Sequence, residues 1–164
     1  MEDLLPRLEN LLAKQIEAHD NVLETGKKMN AALKQKQLEE IQRLNMNYDA
    51  YVGRIEEFEE QRLAVCDEIA KTMDKRHVNI ATIIEVLNED QRGTLTRYRS
   101  LLKEKIGQIS RINTSNFILL EASLAAISKN VEVIARSQEK YQGYGQGGVK
   151  ASRKVSRSII NKIA

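Results

Sequence analysis

The chain has 164 residues, 41% apolar and 30% charged, with a net charge of +3. One proline, no tryptophan and two phenylalanines, set among many Leu, Ile, Ala, Glu, Lys, Gln and Arg, exclude a strand-rich fold and favour helices. A lone cysteine excludes an internal disulfide and suits a reducing cytosol, and no apolar run approaches the ~20 residues of a membrane span.

The start, Met-Glu-Asp-Leu-Leu-Pro, is acidic and lacks a secretory h-region, so a cytoplasmic protein is expected. A first helix is predicted over about 4–34. Asp3 is the candidate N-cap, and Pro6 is tolerated in the first turn, where its missing N–H needs no partner. Its seam reads Leu4, Leu8, Leu11, Gln15, Ala18, Val22, Gly26, Met29 and Leu33, close to a heptad. His19 lies beside that seam and reads as a packing histidine, since no second ligand follows at i+4.

The apolar phase slips near Leu33 to Gln37. Lys34-Gln35-Lys36 reads as a tight turn between antiparallel helices, with a kinked continuous helix as the alternative. A second helix over about 37–72 places Ile41, Leu44, Tyr48, Tyr51 or Val52, Ile55, Phe58, Val65 or Cys66, Ile69 and Met73 inward. Arg62 falls on that seam and is expected to run its stem along the groove. Glu56, Glu57, Glu59 and Glu60 read as a solvated outer face. Asp74-Lys75-Arg76-His77 is a connector, followed by a short helix over about 79–87 capped by Asn79. Asn88 with Gln91 reads as a capping box for the last helix.

That helix, over about 88–141, is the longest predicted element. Its apolar residues at 102, 106, 109, 117, 120, 124, 127, 131 and 134 recur in steps of three and four and are expected to form its packed face. A second face carries Ile112, Leu119, Ser123, Ala126 and Val133, so the helix is expected to be covered on more than one side. Asn113 and Asn116 interrupt the oily surface, either to fix helix register or to face a partner's backbone. The fold class expected is all-α. It is an elongated, antiparallel, coiled-coil-like bundle of three long helices over 1–141, with one short connecting helix and a flexible amphipathic C-terminal tail.

Residues 142–148 form a Gly-rich joint. Beyond it, over 149–164, Val149, Val155, Ile159, Ile160 and Ile163 alternate with Lys150, Arg153, Lys154, Arg157 and Lys162 at near-helical spacing. This basic arm contains no acid, and without its five positive charges the rest of the chain is at −2. Alone, so short a segment is marginally helical in water and orders when its apolar side meets a surface.

No constellation for chemistry stands out. Gly143, Gly145 and Gly148 spell G-x-G-x-x-G, yet a helix precedes them and no βαβ unit surrounds them, so no cofactor is expected. Two histidines and one cysteine do not make a zinc site without carboxylates, so no metal is expected. Cys66 and His77 fall on or beside a packing face, and no catalytic residue is assigned. The chain reads as a binding protein, not an enzyme.

The arrangement Ile112-Asn113-x-x-Asn116-x-x-Leu119-Leu120-x-x-Ser123-Leu124-x-x-Ile127 resembles the signature of the FlgN-type flagellar export chaperones. Leu8-x-x-Leu11-Leu12, Ala32-Leu33, Glu59-x-x-Arg62 and the Tyr141-Gln142-Gly143-Tyr144-Gly145 element agree with it, so the resemblance covers roughly residues 4–148. The resemblance implies a cytosolic escort. It would hold the C-terminal helices of hook–filament junction proteins, prevent their premature assembly, and contact the export ATPase complex of the flagellar type III apparatus.

The candidate partner-binding residues are Tyr141 and Tyr144 as aromatic anchors, with Val149, Val155, Ile159, Ile160 and Ile163 as the apolar side of a helix-in-groove contact. The tail is also a candidate for self-association. Two other readings use the same features. One is a coiled-coil adaptor; the other is a basic-tail binder of anionic membrane or nucleic acid. Nucleic-acid binding and stable membrane insertion are not expected.

Overall fold

The computed structural model describes residues 3–142, with the side chains of Asp90 and of residues 137–142 outside the description. Among the described residues there are four helices and no strand: α1 (Leu4–Gln35), α2 (Leu38–Thr72), α3 (Ile80–Val86) and α4 (Glu89–Gln142). Two compact units divide the chain, Met1–Ser123 and Leu124–Ala164.

In the first unit, α1 and α2 form an antiparallel hairpin. Arg7 meets Glu68, while Gln15 meets Glu59, so partners approach one another in sequence toward the turn. The turn needs neither Gly nor Pro. Lys36 takes the left-handed conformation (φ 57°), its N–H donating to Leu33 O and that of Gln37 to Ala32 O at 3.0 Å. These two bonds satisfy the last carbonyls of α1 and form a Schellman stop. Asp74 (φ 51°) closes α2 in the same way, with Lys75 N–H donating to Ala70 O.

The α1 seam read from the sequence is inside. Leu8, Leu11, Gln15, Ala18, Val22, Gly26 and Leu33 are buried, and Leu4 and Met29 are half-buried. Leu5, Leu12, Leu23 and Ala32 are buried as well, because α1 is covered on two sides, by α2 and by α4. The main core lies at the end where α1 starts. There Leu5, Leu8 and Leu12 pack in one cluster with Val65 and Ile69 of α2, Ile83 of α3 and Leu95 of α4.

Capping differs in one respect from expectation. Asp3 lies in the helical region and makes no side-chain cap, so α1 starts uncapped at Leu4. Asn79 does cap α3, accepting from the Thr82 N–H at 2.9 Å, and Asn88 caps α4 by accepting from the Gln91 N–H at 3.0 Å. Arg92 reaches back from α4 to the carbonyls of Ile84, Glu85 and Leu87, closing the end of α3.

Within the first unit α4 runs parallel to α1 at a nearly constant offset. Asp20 pairs with Lys105 and Asn30 with Asn116, separations of 85 and 86 residues. Gly26 marks a close approach, since a Cβ there would lie 3.1 Å from Cγ2 of Ile112.

Candidate functional site

In the first unit α4 turns Leu95, Tyr98, Leu102, Lys105, Ile109, Ile112, Asn116, Leu119 and Ser123 inward, each buried or half-buried. The steps are three and four throughout, a heptad seam laid against α1 and α2. Of the first apolar stripe read from the sequence, Leu102 and Ile109 lie in this seam. Ile106, Phe117 and Leu120 sit one position round from the seam and are 54%, 59% and 45% exposed. The second face read from the sequence is covered by α1 and α2 through Ile112 and Leu119, whereas Phe117 and Leu120 of the first are left outside, so the expected cover on more than one side holds only in part.

The two asparagines singled out in the sequence are tied to other helices. Asn116 donates to the Gly26 carbonyl of α1 at 3.0 Å, and its own Oδ1 accepts from Asn30 at 2.8 Å. Asn30 also donates to Ser115 Oγ at 2.9 Å. Asn113 donates to the hydroxyl of Tyr48 on α2 at 2.7 Å. Of this set, Asn30 was not legible as a partner. Its only signal is the i,i+4 spacing from Gly26 on a helix covered on two sides.

Beside this polar belt lies a cleft of about 250 Å³, lined by Met29, Leu33, Ile41, Tyr48, Phe117 and Leu120, with the amides of Asn45, Asn113 and Asn116 at its edge. Its wall is apolar and its polar groups are few, the make-up of a surface that takes apolar side chains.

A second polar cluster sits between α1 and α2. Arg62, with a side chain only 14% exposed, forks onto Glu59, which also accepts from Gln15 at 2.8 Å. Glu59 is therefore half-buried against α1, whereas Glu56, Glu57 and Glu60 are exposed. The Arg62 guanidinium holds the Glu59 carboxyl below the ordinary carboxylate range, burial working against it and Gln15 adding to it. Cys66 is buried with Arg62 against its sulfur at 3.7 Å, and burial pushes its thiol up from the ordinary value. A raised thiol pKa is the opposite of what a thiolate nucleophile needs. His77 is exposed and faces Asp67 at 3.5 Å. His19, buried, donates from Nδ1 to the Gln15 carbonyl at 2.7 Å. Among the described residues no group of three or more His, Cys, Asp and Glu is placed to hold a metal ion, and no helix is long and apolar enough to cross a membrane.

In the second unit the described residues, 124–142, form one helical segment of α4. Leu124, Ile127, Val131, Val133 and Ile134 are each 55–60% exposed. Tyr141 lies in α4 with its side chain outside the description. Tyr144, Val149, Val155, Ile159, Ile160 and Ile163, with the joint and the tail, lie outside the described residues.

These features define an all-helical protein in which the Asn30–Asn116 set and the Gln15–Glu59–Arg62 set join helices, and whose longest helix presents apolar side chains to its surroundings. The sequence matches the FlgN protein family over residues 1–152, and the chain belongs to that family, which is one of flagellar export chaperones. No curated protein and no solved structure matches it.

Proposed function

We propose that this chain is the cytosolic escort of flagellar hook–filament junction proteins. It binds their C-terminal helices, keeps them from assembling early, and passes them to the type III export apparatus through contact with the export ATPase complex. The observation that carries this reading is membership of the FlgN family over 1–152.

The apolar cleft edged by Phe117 and Leu120 in the first unit supports it. An amphipathic helix lays its apolar face on such a surface through anchors at i, i+3, i+4 and i+7. The basic arm, through Val149, Val155, Ile159, Ile160 and Ile163, closes over the bound helix, with Tyr141 and Tyr144 as anchors. Ordering the arm subtracts a few kcal/mol from the contact energy, which keeps the client releasable. Asn113 and Asn116 hold the α4 register that presents this surface.

The test is a titration of the full chain with a peptide from the C-terminus of a junction protein. Saturable binding with a gain of helical signal is expected, weakened by Phe117→Ser or by Ile159→Glu with Ile163→Glu. Failure to bind at high micromolar peptide overturns the assignment. Salt-sensitive binding to anionic vesicles or DNA in its place marks the basic-tail alternative.

A further inference from the structure

In the first unit two glycines lie inside helices without a packing reason. Gly53 of α2 and Gly107 of α4 both continue an unbroken helix. A Cβ on Gly53 would meet nothing within 4 Å, and one on Gly107 only the guanidinium end of Arg111 at 3.9 Å. Each glycine weakens its helix about fivefold relative to alanine, and no close contact requires it.

The register brings both to one level of the bundle. Arg7 with Glu68 and Gln15 with Glu59 set Gly53 opposite Asn21 and Val22 of α1, and Asn21 lines a shallow cleft with Arg54. Asp20 with Lys105 and Asn30 with Asn116 set Gly107 opposite the same two residues. There α1 is altered as well. The Thr25 hydroxyl donates to the Asn21 carbonyl at 2.7 Å, a back-bond that competes with the helix ladder and bends helices. Packing changes at the same level. The main core follows α1 from Leu5 to Leu12, takes in Phe58 and Leu102 at its edge, and stops short of Asn21. Beyond it the helices are tied by the Asn30–Asn116 set and by Asn113 on Tyr48.

We infer that the first unit flexes at this level, through residues 21–25 of α1, Gly53 of α2 and Gly107 of α4, so that the turn end moves as one body against the main core. Hinges sit where a few residues absorb the backbone change, and helices bend at small residues and where a side chain enters the ladder. Val22, 2% exposed, is the packed side chain at that level and serves as pivot. The cleft beside Phe117 lies wholly on the turn side, lined from Met29, Ile41 and Tyr48, so it travels with its amides. The inference goes beyond the chaperone reading and does not depend on it, because its test contains no client.

Amide hydrogen exchange of the full chain, read residue by residue, is the test. Residues 21–25, 53–57 and 107–111 are expected to exchange faster than the turns around Leu44 and Ile69 of α2 and around Leu95 and Asn116 of α4. Exchange no faster there overturns the proposal. Gly53→Ala is expected to slow exchange about fivefold at 53–57. Because one motion opens all three helices, the same factor is expected at 107–111, and a gain confined to α2 overturns the shared level. Gly93→Ala separates flexing from unfolding of the whole chain. A Cβ on Gly93 also meets nothing within 4 Å, but Gly93 stands two residues before Leu95 of the main core. It stays helical while the bundle flexes, so its replacement is expected to leave exchange at 107–111 unchanged. Slowing there equal to that of Gly53→Ala marks whole-chain unfolding as the route and overturns the proposal.

Discussion

Asn116 donates its side-chain amide to the main-chain carbonyl of Gly26 at 3.0 Å, where a bare glycine lets α4 come within van der Waals contact of α1. The bond links two helices that run parallel, and Asn30, 86 residues away from Asn116, closes a second bond onto its oxygen. A one-residue slip of α4 would carry Asn116 out of the seam and strand both amides.

Asn116→Ala is expected to cost about 1–3 kcal/mol, the range for removing one partner from a part-buried hydrogen-bonded set. Asn30→Ala should cost less when Asn116 is already absent. A double-mutant cycle read by urea denaturation should give a coupling of about 0.5–3 kcal/mol. Additive losses would mean that the two amides act separately.

Lys36→Gly is expected to stabilise the protein by about 0.5–1 kcal/mol. Lys36 sits at φ 57°, where an L side chain costs about 1–2 kcal/mol, part of which is offset by the greater freedom of glycine in the unfolded chain. Thermal melting is the readout, with a rise of about 1–4 °C for a chain of this size. Lys36→Val at the same position should lower the melting temperature.

Glu59 gives the fold a titratable joint. Its folded pKa is lowered, first by the Arg62 hydrogen bond, so its contribution is complete above the unfolded value of about 4.3. That contribution fades as pH falls through the lower folded value. Glu59→Gln leaves Arg62 facing a neutral amide and is expected to lower the melting temperature at pH 7. The gap to the unsubstituted chain should narrow toward pH 3. A gap that stays constant with pH would show that the carboxylate's charge does not contribute.

Apolar residues of α4 divide into two energetic kinds. Leu95→Ala removes a side chain that is fully buried in the core and should cost about 2–5 kcal/mol. Ile127→Ala removes one that is mostly exposed and should stay within about 0.5 kcal/mol of neutral for the single chain, measured at micromolar concentration or below.

Much of the architecture was legible from local rules. The α1 seam from Leu8 to Leu33 has one unbroken period and was read correctly, as were the caps at Asn79 and Asn88. The stop at Lys36 was harder to see, because it uses a Schellman pair of backbone bonds and not a glycine. Glu59, read as part of a solvated face, keeps a side chain 43% exposed and also bonds to Gln15 of α1, a contact set by the cation Arg62 and the donor beside it and not by the charge run.

The sequence by itself determined that this protein is helical, that Asn79 and Asn88 cap α3 and α4, and that α4 carries two adjacent apolar stripes at the same period. A single helix wheel has no means of ranking those stripes, since 3-4 spacing is satisfied by both. The tertiary structure decided between them through register. At an offset of about 86 residues, the end of α1 at Gln35 falls level with about residue 121 of α4, so α1 and α2 cover the Ile112–Leu119 line. The neighbouring line through Phe117 and Leu120 is left outside. Which apolar residues become core is set by the length and placement of the partner helices, a long-range fact that no local pattern contains.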